Sequence, residues 1–68
     1  MTYLEKLKGL REDADLTQTD IAEILHISQT AYSKYERGRH AIPIESVLQL
    51  ALHYHISLDW LFSAELRK

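Results

Sequence analysis

Cysteine is absent from the 68 residues, which excludes a disulfide framework and a thiolate metal site. One proline and two glycines leave no linker, no low-complexity stretch and no internal repeat. No apolar run is long enough to span a bilayer and no apolar leader follows Met1, so a cytoplasmic protein without a membrane partner is expected. Strand-type alternation is missing as well, because the apolar residues recur at three and four rather than at two. An all-α fold is the expectation, with residues 1–68 forming one domain. A chain this short is near the limit for a stable single core, and association is one remedy. A strong charge of either sign is also lacking, since 8 Lys and Arg face 10 Asp and Glu.

Against these absences, one stretch is rich in signals. Thr17 and Ser28 each precede an apolar-periodic run, where a hydroxyl accepts a hydrogen bond from an unpaired N–H of the first helical turn. The first run places Ile21, Ala22, Ile24 and Leu25 on one face and Asp20 and Glu23 on the other. The second, from Gln29 to Arg37, stops at Gly38. It turns Ala31, Tyr32 and Tyr35 inward and leaves Gln29, Thr30, Ser33, Lys34 and Arg37 outward. Two short helices joined by a tight turn, over about residues 17–38, suit the insertion of one helix into a DNA major groove. Amide, hydroxyl and cation are the groups that read base edges and phosphates. Charge distribution agrees: residues 31–40 carry Lys34, Arg37 and Arg39 against Glu36 alone, while residues 1–30 are acidic.

Leu16-Thr17-Gln18 through Ala22, Ile27-Ser28-Gln29, Tyr35-Glu36-Arg37-Gly38, Leu50-Ala51 and Ile56 to Leu61 together resemble the Cro and phage-repressor type (XRE, lambda-repressor-like) helix-turn-helix family, over about residues 4–62. The resemblance implies a bundle of five short helices, the second and third forming the motif, in a homodimeric transcriptional regulator of bacterial or phage origin. It places Gln29, Thr30, Ser33 and Lys34 at the groove and Gln18 at a phosphate; Thr17, Arg37, Arg39 and His40 are expected at phosphates beside it. It also implies that Arg11 pairs with Glu36 across the core, which would hide the one acid of the basic segment.

His26 and His55 stand where that family usually has glycine, at helix ends that favour left-handed backbone, and are read as caps rather than metal ligands. His53 and His55 are two apart and point to different helix faces, so no metal site and no cofactor are expected. Tyr32 fills a position that is usually aliphatic and is expected in the core, its hydroxyl reaching a partner or solvent. Pro43 and Ile44 open a helix whose apolar set, Val47, Leu48, Ala51 and Tyr54 with Leu50 and Leu52 beside it, is too broad for one buried stripe. Ser57 caps a last helix in which Leu58 and Leu61 suit the core. The expected dimer contact therefore comprises Leu50, Leu52, Trp60 and Phe62. Ser, His and Asp lie on caps and exposed faces with no nucleophile elbow or carboxylate cleft, so no enzyme is expected. The expected function is a repressor that occupies an inverted-repeat site on double-stranded DNA, with an antitoxin or other protein-interaction module on the same fold, binding a toxin or other protein partner, as the alternative.

Overall fold

Side-chain hydroxyls decide where the helices begin. The computed structural model describes residues 2–66, so Met1, Arg67 and Lys68 of the expected domain lie outside the described residues. In it, Thr2, Thr17, Ser28 and Ser57 accept from the backbone N–H groups of Glu5, Asp20, Ala31 and Trp60. They open α1 (Tyr3–Asp13), α2 (Gln18–Leu25), α3 (Gln29–Glu36) and α5 (Leu58–Leu61). At Thr2 and Thr17 the cap is reciprocal, because the carboxylates of Glu5 and Asp20 accept the cap residue's own N–H. α4 (Ile44–Tyr54) starts instead after Pro43, which has extended backbone and no side-chain cap, and whose carbonyl accepts from the N–H groups of Ser46 and Val47. The five expected helices are present, and one further turn, α6 (Ser63–Leu66), follows α5. The described residues contain no strand.

The helix ends are equally systematic. Asp15, His26, Gly38 and His55 take positive φ values of 57°, 58°, 76° and 57°. Each is followed by a residue whose N–H reaches back five positions: Leu16 to Arg11, Ile27 to Ala22, Arg39 to Lys34 and Ile56 to Ala51. This left-handed turn satisfies the last carbonyls of α1 to α4. At three of the four ends the following residue is apolar, and Leu16, Ile27 and Ile56 fold onto the core and draw the chain across it. The reading of His26 and His55 as caps holds; Asp15 does the same at the end of α1.

The core consists of Leu7, Ile21, Ala22, Leu25, Tyr32, Val47, Leu50 and Leu61, with one or more residues from each of α1 to α5. α2 packs closely on α3, where Ala22 is buried and its methyl admits the neighbouring helix; α1 packs on α3 and on α5. Tyr32 lies in the core at 2% exposure. One expectation for α4 is corrected. Leu50 is fully buried and unavailable to a dimer contact, whereas Leu48, from the apolar set too broad for one buried stripe, is 42% exposed. The buried stripe is Val47, Leu50, Ala51 and Tyr54, the i, i+3, i+4, i+7 set, and it turns Ile44, Leu48 and Leu52 onto a second, outward stripe. Phe62 is half-buried, its ring 4.8 Å from the ring of Tyr3, and covers the core edge.

Left-handed backbone costs an ordinary L residue roughly 1–2 kcal/mol and glycine almost nothing. Histidine at positions 26 and 55 is therefore strain that glycine would relieve. His26→Gly and His55→Gly should each raise stability by about 1 kcal/mol, or roughly 4–8 °C in Tm for a domain of this size. Thermal melts of the two variants check this, and unchanged or lower midpoints would refute the strain.

Candidate nucleic-acid interface

α3 presents two faces. Tyr32 anchors it inward, with Ala31 and Tyr35 half-buried beside it, and Gln29 and Thr30 are exposed on the opposite side. Ser33 and Lys34 are half-buried on the flank of that outer face. Arg37, exposed, donates its Nε–H to the carbonyl of Ser33 at 3.3 Å, so its guanidinium is folded along the helix. Beyond Gly38 the N–H groups of Arg39 and His40 both point to the carbonyl of Lys34, which pins these two exposed residues beside the end of α3. The residues expected at bases and the cations expected at phosphates thus share one side of the molecule. Thr17 is exposed at the start of α2, with its hydroxyl oxygen engaged in the cap.

Behind that face lies a polar network. Arg11 donates through Nε to Glu36 Oε2 and through one terminal nitrogen to Glu36 Oε1, both at 3.0 Å, and through the other to the carbonyl of Leu16 at 2.9 Å. The expected pair is therefore bidentate and screened from solvent, the Glu36 side chain being 3% exposed. Gln18 Nε2 donates to Glu36 Oε1 at 3.2 Å, and Gln18 Oε1 accepts from Gln29 Nε2 at 2.7 Å. Gln18 was expected only at a phosphate. It bridges the ion pair to the first residue of α3 as well. The available signal was the pair of glutamines opening the two motif helices, although their spacing of eleven residues does not by itself specify contact.

Burial pushes the Glu36 carboxyl toward neutrality, but hydrogen bonds from Arg11, Gln18 and Tyr32 and the Arg11 charge outweigh it and hold its pKa below the ordinary value. The hydrogen bonds that Arg11 donates to Glu36 in turn raise the pKa of the Arg11 guanidinium despite desolvation. Burial, reinforced by the Glu36 charge, pushes the Tyr32 phenol far up, and it stays protonated. The hydroxyl of Tyr54, also raised by burial, is the one buried side-chain polar atom without a partner among the described residues.

A carboxyl with a lowered folded pKa adds stability above its unfolded value, and that stability is lost as pH falls through the folded value. The Arg11–Glu36 contribution is thus complete above the ordinary value of 4.5 and disappears on acidification below it. Denaturant titrations between pH 7 and pH 2.5 should show this fall, and Glu36→Gln should be less stable at pH 7 and lose less on acidification. Parallel pH profiles for the two proteins would refute it.

Residues 7–61 match the helix-turn-helix family HTH_3. The chain is 38% identical over 65 residues to the HTH-type transcriptional activator BcrR of Enterococcus faecalis, covering 96% of this chain and 32% of that one. It is 32% identical over 65 residues to the HTH-type transcriptional regulator ImmR of Bacillus subtilis, covering 96% and 51%. The cryptic phage CTXphi transcriptional repressor RstR of Vibrio cholerae is 30% identical over 61 residues, covering 90% and 55%. The chain spans between a third and just over half of these relatives. No solved structure matches it.

Proposed function

The chain belongs to the helix-turn-helix family of DNA-binding regulators, and from that premise we propose that it recognises a specific duplex sequence through α3 and represses transcription by occupying an inverted-repeat operator as a homodimer. The observation that carries this reading is the side shared by Gln29, Thr30, Ser33 and Lys34 with Arg37, Arg39 and His40, while the one acid of the segment, Glu36, is neutralised inside by Arg11. Such a face offers hydrogen-bonding groups to base edges at its centre and cations to phosphates at its rim. The absence of a transmembrane-length apolar helix among the described residues is compatible with action in the cytoplasm. An activator and a repressor are both among the named relatives, and a promoter fused to a reporter distinguishes the two outcomes here.

Base reading is tested by selecting bound sequences from a random duplex pool. Gln29→Ala should weaken the best site by about 1–3 kcal/mol and relax one base position; Thr30, Ser33 and Lys34 variants should relax its neighbours. Thr17, Arg37, Arg39 and His40 act on all sequences alike, because phosphates carry no base identity, and Arg39→Ala should lower the salt slope by about one. Gln18, also placed at a phosphate, weakens all sequences through that contact in addition to any effect it has through Gln29. Unchanged preferences in the Gln29, Thr30 and Lys34 variants would remove α3 from the role of reader.

Dimerisation follows from size. One short helix and three cations cannot deliver the discrimination a genome requires, whereas two copies on a two-fold site can. The surfaces left for the contact are Leu52, 76% exposed, and Trp60, 47% exposed, with Ile44 and Leu48 in line with Leu52. These offer a few hundred Å² per copy, below the ~800 Å² a side of a stable interface, so the pair should assemble on DNA more than free in solution. The two reading helices then lie about 34 Å apart, in successive major grooves. Analytical ultracentrifugation of the protein–operator complex should give two chains per site, and Leu52→Glu should abolish the second. One chain on an asymmetric footprint would exclude the dimer.

A further inference from the structure

Glu36, buried and remote from the outer face of α3, is tied to the base-reading amide of Gln29 by two consecutive hydrogen bonds. We infer that Glu36 is a specificity-determining residue: through Gln18 it fixes which way the Gln29 amide faces, and so makes that position read adenine and reject guanine. This rests on the proposal that α3 reads bases.

The argument is one of donor and acceptor polarity. An ionised carboxylate can only accept, and Arg11 together with the other donors keeps Glu36 ionised. Gln18 must therefore turn its NH₂ group toward Glu36, at 3.2 Å, which leaves its carbonyl oxygen on the side of Gln29. That oxygen accepts at 2.7 Å and obliges Gln29 to turn its own NH₂ group inward. Gln29, exposed at the start of α3, is left with its carbonyl oxygen and one N–H for a ligand. Adenine offers a matching pair in the major groove, the N6 donor to the oxygen and the N7 acceptor to the N–H; guanine offers two acceptors, O6 and N7, and sets O6 against the Gln29 oxygen. Without the relay the Gln29 amide is free to turn over and present both N–H groups, which suits guanine. The carboxylate thus acts as a terminus that orients the whole row, and Arg11 as the group that keeps the terminus an acceptor.

The relay predicts an effect that a purely structural ion pair would not produce, namely a change confined to one base position. Gln29→Ala first identifies that position in a pool selection. In Glu36→Gln the terminus is no longer obliged to accept, and in Gln18→Met the row is cut while the Arg11–Glu36 pair stays intact. Both should lower the adenine-over-guanine preference at the Gln29 position roughly tenfold, the size of one bidentate contact, and leave preferences at the positions read by Thr30 and Lys34 as in the parent. Circular dichroism melts establish that each variant is folded, and if Glu36→Gln does not fold, Gln18→Met decides. A folded variant of either kind that keeps the parental adenine preference overturns the relay while base reading by α3 stands. A Gln29→Ala protein with parental preferences at every position overturns base reading by that residue, and the relay with it.

Discussion

The rest of the molecule is organised around the carboxylate of Glu36. It sits near the end of α3, accepts two hydrogen bonds from Arg11 on α1 and one from Gln18 on α2, and has the Tyr32 phenol beside it. Three helices are thereby referred to one point, and the Arg11 guanidinium adds a fourth tie by capping the carbonyl of Leu16 in the turn between α1 and α2. A buried ion pair is a weak source of net stability, because desolvation offsets much of the attraction. Its value is geometric. Two parallel N–H to oxygen bonds define a plane and a direction, so the angle between α1 and α3 is held by more than packing. The Tyr54 hydroxyl lies buried near this cluster without a partner among the described residues.

Local signals carried the helix boundaries a long way. Thr17, Ser28 and Ser57 cap the helices that their positions implied, and His26, Gly38 and His55 end helices in left-handed backbone, because capping depends on residues within one turn of each other. Asp15 carries no such signal in sequence, because aspartate serves many kinds of turn. The division of α4 between core and surface was less legible. Val47, Leu48, Leu50, Ala51 and Leu52 are all apolar, so the periodicity has no polar residue to mark the outer face, and only the placement of the other helices decides that Leu50 turns in and Leu48 out. The Arg11–Glu36 pair was implied by family resemblance rather than by spacing, since 25 residues of chain separate the partners. Its extension to Gln29 depends on three side-chain rotamers and is visible only in three dimensions.

The surface near Trp60 follows the same logic at lower cost. Lys6 lies over the Trp60 ring, 4.8 Å from its centroid, and donates to the Trp60 carbonyl and the Ser63 hydroxyl. One cation therefore closes the end of α5 and covers part of an exposed aromatic face. That use takes Lys6 out of the pool of free cations; among the described residues Lys8 remains on α1, and Lys34, Arg37 and Arg39 lie on or beside α3.

The same accounting resolves why a chain of net charge −2 has a face suited to DNA. Acidic side chains are placed where helices need them: Glu5 and Asp20 complete capping boxes, and Glu45 and Asp59 lie in the first turns of α4 and α5, where a negative charge favours the helix dipole. Glu36 is neutralised by Arg11 behind α3. α3 itself has no acid in its first turn, although a carboxylate there would favour the helix. Ser28 provides the cap without charge, so the N-terminal N–H groups of α3 keep their partial positive charge at one end of the helix, while Lys34, Arg37 and Arg39 stand at the other. In the proposed mode of binding, α3 meets the ligand with an N-terminus free of acids, whereas α2, whose Thr17 and Gln18 are placed at phosphates, commits Asp20 to the reciprocal cap of Thr17, so electrostatic selectivity rests chiefly on α3 and stability on the capped helices.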